Sequence, residues 1–412
     1  VSSLLLRGAR LAGDDDRRVD VEVTDTVITA ITPASSTPTA TTPATTPPAT
    51  TTIDLDGRLL LPAMAEPHAH LDKAFLAERI PNPTGDLMGA IVALDEHRDS
   101  IDLDDTVERA ERAVRLMVSN GVTAIRTHAD VSTTNGLTSV EAMLEVRSRV
   151  AHLVHLEICA LTGSPSIGLV GADQRALLRD AIDTGVDLVG GCPHLEDDPV
   201  AATDLFLTTA AEHGLPVDLH TDETLDPNKL ALEYLAHAVA DGFPHRVTAS
   251  HCVSLGMLHP DRQRAIAEAV AAAGIGVVAL PHTNLFLQGR QHQQAMPRGL
   301  TAIGALRVAG VVVAAGADNL QDPFNPVGRG DPFETAALMV MAAHLLPGDA
   351  YASVSADVRT VLGLPPVTVA VGAPADLVAV AAGSVREAIA MGPGGRVVIA
   401  RGTVVHDGRP AR

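Results

Sequence analysis

The sequence predicts an α/β chain, a (β/α)8 TIM barrel with a small composite β-sandwich built from both termini. Three observations predict it. Through the middle, short apolar runs recur at roughly thirty-residue spacing between Ala/Leu/Arg/Glu-rich stretches of helical periodicity, which marks successive βα units. Polar residues gather where the apolar runs end. Both ends of the chain instead alternate short apolar segments with polar turns, as strands of a half-buried sheet do.

Taken in order, residues 3–6, 19–23, 27–31 and 59–61 read as strands of a small β layer. Residues 32–52 are almost entirely Thr, Pro, Ala and Ser, too poor in apolar surface to order themselves, and read as a flexible, extended surface loop. The candidate barrel strands are 60–70, 122–128, 154–161, 188–194, 217–223, 247–252, 275–281 and 311–318. Helical segments 105–120, 201–213, 260–273 and 300–309 fall between them, each stopped by a glycine (Gly121, Gly214, Gly274, Gly310) at a helix C-terminal position. Residues 375–381 and 396–405 return to β character, so that both ends close one sheet. The expected division is 1–61 with 365–412 as the composite sandwich and 62–364 as the barrel. With 412 residues the chain accommodates a barrel of about 250 plus this second layer.

Thirty basic against fifty acidic residues leave a net charge of −20, which repels phosphate backbones and anionic lipid. Aromatic residues make up 2% with no Trp, so base-stacking platforms are poorly supplied. The expected partner is a small-molecule substrate, with no nucleic acid and no membrane, and a homo-oligomer is compatible with the sequence. Cys159, Cys192 and Cys252 form no CxxC pair, which argues against a disulfide framework. No signal-peptide pattern or membrane-length apolar run is present, making the cytoplasm the expected location.

The chemistry lies at the strand ends. In a barrel the C-terminal ends of the strands converge on one face, so distant residues meet there. His68 and His70, at i and i+2 of a strand, point to the same side and can share one ion. A third imidazole from His220 and a carboxylate from Asp318 complete a catalytic metal shell with a position left open for water. Imidazole donors suit Zn2+ or Fe2+. His251 reads either as a further ligand or as a hydrogen-bond partner of the water, the second being preferred. Glu223, three residues past His220, suits a proton shuttle; its bland alternative is a solvated loop carboxylate. Asp72 and Lys73 either orient their loop or form an exposed ion pair. Lys73 and Lys229 are the two lysines, and neither lies on the fourth strand, where a carbamylated lysine would bridge two metals. One divalent ion is therefore expected, which tilts the reading toward deamination.

On Pro67-His68-Ala69-His70-Leu71-Asp72-Lys73, Arg126-Thr127-His128, Pro193-His194-Leu195-Glu196, His220-Thr221-Asp222-Glu223, Thr248-Ala249-Ser250-His251, Leu287-Gln288-Gly289-Arg290 and Asp318-Asn319 with Asp322-Pro323-Phe324, the chain resembles the amidohydrolase superfamily, cytosine deaminase-like branch. The resemblance implies a single Fe2+ or Zn2+ on His68, His70, His220 and Asp318, with His251 steadying a metal-activated hydroxide. It implies that Glu223 protonates a ring nitrogen while Asp318 accepts the hydroxide proton and ammonia departs. It further implies substrate contacts from Gly163, Gln288, Asn319 and Phe324. Cytosine deaminases carry a glutamine after strand three, whereas here the stretch is Ala160-Leu161-Thr162-Gly163-Ser164. Asn319 and Phe324 also depart from the pattern, as Asn319 replaces a second acidic residue and Phe324 a larger aromatic.

The expected activity is hydrolytic deamination of a small nitrogen heterocycle: a cytosine-like or related pyrimidine, triazine or amidine ring. The alternative is hydrolysis of a cyclic amide or N-acyl C–N bond at the same mononuclear site. A binding protein that has lost turnover is a third reading, opposed by the retained Glu223 and full ligand set.

Overall fold

The computed structural model describes residues 2–34 and 51–410. Eight parallel strands follow one another in chain order: Met64–Ala69, Val122–Val131, His155–Thr162, Leu188–Gly191, Val217–Thr221, Val247–His251, Gly276–Ala279 and Val313–Ala315. They are Val/Ala/Leu/Ile runs because each is covered on both faces, and Val217–Thr221 and Val247–His251 are buried at every position.

The expected strand 60–70 is in fact two. Leu59–Pro62 pairs antiparallel with Leu377–Val380 in the terminal sheet, and Met64–Ala69 then enters the barrel. Pro62, with no N–H to donate, suits the end of a ladder and not its interior. Prolines also shorten the fourth and seventh strands, which end at Gly191 and Ala279; Pro193 opens a 3-10 turn and Pro281 a helix.

The first and last barrel strands join through a bridge between Ala69 and Asp318. The Asp318 amide donates to the His68 carbonyl at 3.1 Å and the His70 amide to the Asp318 carbonyl at 3.2 Å. Just before this point the Glu66 carboxylate stands in for ladder bonds, accepting from the His68 amide at 3.2 Å and the Ala317 amide at 2.9 Å. A Cβ at Gly316 would lie 2.3 Å from Glu66 Oε1, so this position requires glycine.

The helices pack outside. Leu103–Ser119 buries Val107, Ala110, Val114 and Met117, three or four residues apart on one face. Asp102, Asp198 and Asp331 cap their helices by accepting first-turn amides, and Gly185 and Gly214 end theirs in the left-handed conformation. An additional helix, Leu87–Glu96, lies between the first strand and Leu103–Ser119 and covers part of the barrel mouth.

Both termini build the second sheet. Ser3–Leu11 pairs with Asp14–Thr24, Thr51–Asp54 and Leu59–Pro62, and the C-terminal strands Leu377–Val380, Val397–Ala400 and Thr403–Asp407 extend it. One hydrogen-bonded sheet thus encloses its own core of Leu6, Val21, Ile28, Leu377 and Ile399. Of the expected 32–52 loop, residues 32–33 and 51–52 belong instead to the strands Val27–Pro33 and Thr51–Asp54, and residues 35–50 lie outside the described residues. Arg396 ties the sheet to the barrel through a bidentate pair with Asp331, at 2.9 and 2.7 Å.

Candidate metal centre and active site

The barrel gathers the proposed ligands at one point. His68 Nε2 and His70 Nε2 lie 3.1 and 3.2 Å from His220 Nε2, and His70 Nε2 lies 3.2 Å from Asp318 Oδ1. All four side chains are buried. Neither Asp318 oxygen has a hydrogen-bond donor in place, although both are shut off from water. Three imidazole nitrogens and an anionic oxygen facing a common centre leave lone pairs that hydrogen bonds among themselves cannot satisfy, and a divalent cation would. The donor set fits.

The surroundings hold the His68 ring in ligand form. Ser250 Oγ donates to Asp218 Oδ1 at 2.8 Å, so its oxygen accepts from His68 Nδ1–H at 2.9 Å and leaves the Nε2 lone pair free. Burial, followed by repulsion from neighbouring imidazoles, pushes His68 and His220 well below the ordinary histidine range and keeps both neutral. Burial also pushes Asp318 up, but His70 and His251 outweigh it and hold the carboxylate ionised at neutral pH.

His128, which sequence reasoning left without a role, stacks beneath His68 with ring centroids 3.9 Å apart. Its Nε2 faces Asp218 Oδ2 at 3.7 Å. Ligand atoms of His68, His128 and His220 fall within 4.8 Å of one another, as do those of His68, His251 and Asp318. His128 thus sits on the barrel-interior side of the cluster, whereas His70 and Asp318 face the open end.

Glu223 and His251 stand on that open side. His251 Nδ1 is 3.5 Å from Glu223 Oε1 and its Nε2 is 4.0 Å from Asp318 Oδ2, so the imidazole spans the two carboxyls. His251 (φ 68°) and Asp318 (φ 65°) both occupy the left-handed region, a strained backbone that aims strand-end side chains inward. Burial, reinforced by the Asp318 charge, pushes Glu223 well above the carboxylate range. The two carboxyls are thus pushed in opposite directions, Glu223 toward its protonated form and Asp318 toward its ionised one, which separates acid from base. The solvated-loop alternative for Glu223 is ruled out by its 5% exposure.

Asp72 and Lys73 are likewise buried, which excludes the exposed ion pair. Lys73 Nζ lies 2.6 Å from Asp130 Oδ1 and 3.1 Å from His70 Nδ1, and Arg98 Nη2 reaches the other Asp130 oxygen at 3.2 Å.

Above the cluster is a cavity of about 260 Å3. His70, His220, Glu223, His251 and Asp318 form its floor, with Leu87, Leu94, Leu161, Leu195 and Phe324 among its apolar walls. Gly163, Asn319 and Phe324 line it, but the Asn319 amide is already engaged: its Nδ2 donates to Asp322 and its Oδ1 accepts from Thr283. Gln288 does not line this cavity. It donates to the Glu223 carbonyl at 3.2 Å from behind and borders a neighbouring cleft. Gln174, from the helix Ala172–Thr184, does reach the cavity beside Gly163, a residue that strand-end reasoning could not find because it comes from a helix.

Comparison with known proteins agrees with this geometry. The model of the amidohydrolase family matches residues 76–410. A pterin deaminase of Rhizobium rhizogenes is 35% identical over 400 residues, covering 95% of this chain and 89% of that protein. The crystal structure of 5-methylcytosine deaminase from Klebsiella pneumoniae with 5-fluorocytosine superposes at a TM-score of 0.87 with 30% identity, covering 99% of this chain and 98% of that one. N-isopropylammelide isopropylaminohydrolase from Burkholderia multivorans gives 0.81 and 28%, covering 99% of each chain.

Proposed function

The chain belongs to the amidohydrolase family, in its cytosine deaminase-like branch, and from that premise we propose that it hydrolytically deaminates an amino-substituted pyrimidine ring, of the kind fused into a pterin. The observation that carries the reading is the floor of the cavity, where Glu223, His251 and Asp318 adjoin three converging imidazoles. His68, His70, His220 and Asp318 would hold one divalent ion, Zn2+ or Fe2+. Bound there, it supplies the Lewis acidity that brings water toward deprotonation near neutral pH.

The protein groups then divide the proton traffic. Protonated Glu223 donates to the ring nitrogen beside the amino-bearing carbon and makes that carbon electrophilic. Asp318 takes a proton from the attacking water, and His251 donates a hydrogen bond to the incoming oxygen. The tetrahedral adduct expels its amino group with a proton delivered from the carboxyls. Ring–NH2 plus water becomes ring–OH, which relaxes to the oxo form, plus ammonia.

A fused bicycle is favoured over a single ring by two considerations. A cavity of about 260 Å3 has space for roughly nine waters at about 30 Å3 each, more than one six-membered ring displaces. The relative at 35% identity is named for pterin. Ammonia release by zinc- or iron-loaded protein from pterin, cytosine, 5-methylcytosine and aminotriazines tests both levels. Turnover of pterin at the highest kcat/KM is expected. Absence of ammonia from every ring, or ring opening without it, overturns the deaminase reading in favour of cyclic-amide or N-acyl hydrolysis.

A further inference from the structure

The short helix Pro281–Leu287, directly after the seventh barrel strand, carries a fully buried asparagine that does not line the site cavity yet contacts both mobile-proton groups of the site. Asn284 Nδ2 lies 3.3 Å from Glu223 Oε1 and 3.2 Å from His251 Nδ1. Four residues on, Gln288 Nε2 donates to the Glu223 backbone carbonyl at 3.2 Å. One segment therefore grips Glu223 at its carboxyl and at its main chain, and the same amide reaches His251.

We propose that Asn284 is a positioning residue that sets the acid and its neighbouring imidazole as a pair, with Gln288 steadying the backbone beneath; this rests on the role of Glu223 as proton donor. The chemistry of the amide explains what it does. An N–H donated to Oε1 occupies that oxygen as an acceptor and leaves Oε2 to carry the proton used on the ring. An N–H donated to His251 Nδ1 makes that nitrogen the acceptor, so the ring proton resides on Nε2, the nitrogen that faces Asp318 at 4.0 Å and has no other partner. His251 is thereby a donor toward the reacting oxygen. Asn284 Oδ1, by contrast, is buried without a donor. Packing alone would favour an apolar side chain here, since such a group is costly to bury unpaired. Aspartate would bring a negative charge and no N–H to donate, and leucine would leave both partners without their N–H.

A double-mutant cycle separates positioning from general structural support. The proteins are wild type, Asn284→Leu, Glu223→Gln and the double variant, each loaded with zinc and assayed for ammonia release. Asn284→Leu should keep one equivalent of metal and a KM within about threefold, while kcat falls on the order of 100-fold. In the Glu223→Gln background the same substitution should change kcat by less than about threefold, because the contact acts through Glu223. Equal fold-losses in both backgrounds, or a loss carried by metal content or KM with kcat intact, overturn the proposal. If Asn284→Leu fails to fold, Asn284→Ala carries the same comparison with the same outcomes. Gln288→Leu, which touches only the backbone of Glu223, should lower kcat less than Asn284→Leu; the reverse order would also contradict it. An inactive wild type would sink the deaminase reading, whereas an active wild type with multiplicative losses sinks the Asn284 assignment alone.

Discussion

Glu223 and Asp318 face the same buried floor with their acidities pushed in opposite directions, and substitutions there should separate chemistry from metal retention. Glu223→Gln keeps the shape and removes the transferable proton, so kcat should fall by about 10^2 to 10^4 while metal content stays at one equivalent. Parallel metal analysis and ammonia assays check it, and unchanged turnover would mean that another group is the acid. Ser250→Ala removes the acceptor that fixes the His68 tautomer, and affinity for zinc should weaken by roughly 10- to 100-fold in a chelator competition. Much of this was legible from residue spacing. His68 and His70 share a strand face, and Glu223 and His251 follow strand ends. The burial of Lys73 was not legible, because its partner Asp130, held on its other oxygen by Arg98, comes from another segment.

Among the elements, the seam between the first and last barrel strands governs the site, since the backbones of His68, His70 and Asp318 make its closing hydrogen bonds. Gly316→Ala drives a methyl into Glu66, 2.3 Å away, at a point where strand and ligand positions are coupled. The substitution should destabilise the fold by about 1–3 kcal/mol and weaken metal retention together. Thermal unfolding with and without added zinc measures both, and a variant with wild-type Tm would show that the seam yields freely. Element types followed the sequence closely because apolar runs covered on both faces are written as such. Boundaries did not, as at Pro62, where one apolar stretch serves two sheets. Gln288 shows the same limit: the family resemblance implied substrate contact, but the end of the helix Pro281–Leu287 places it behind Glu223.

Across the whole molecule, a buried cation crosses the barrel below the site. Arg126, 1% exposed, donates to Asp218 at 2.9 Å and to Glu157 at 2.9 and 3.0 Å. Burial pushes the Asp218 carboxyl up, but His128 and Arg126 more than offset this; with His128 itself kept neutral by burial, Arg126 supplies the lasting charge. Burial likewise acts upward on Glu157, and His155 and Arg126 hold it below its ordinary value. A carboxyl whose pKa is lower folded than unfolded contributes stability that is complete above the unfolded value, about 4, and disappears as pH falls through the folded one. For these two carboxyls the loss comes below about pH 4, and the imidazoles kept neutral by burial, His68, His128 and His220, add an earlier one as pH falls through their unfolded value of about 6.5. Denaturant titrations should therefore give stability that declines from pH 7 downward and most steeply below about pH 4. Arg126→Met leaves Asp218 charged and unpaired and should cost about 3–5 kcal/mol at pH 7. A small loss, or stability that rises on acidification of the wild type, would contradict this account.

The alternation of apolar and helical stretches, the same-face pair His68 and His70, the polar strand ends and the scarcity of lysine were all local properties, and the chain alone determined them: a barrel, a second sheet from both termini and a histidine-rich centre. Closure of the barrel decided the rest. His220 approaches His68 across 152 positions of sequence, Asn284 finds Glu223 across 61, and Arg126 finds Asp218 across 92. Such contacts depend on strand tilt, on where prolines and glycines end each element, and on which way a side chain leaves its helix. None of these has a period that a linear pattern can express.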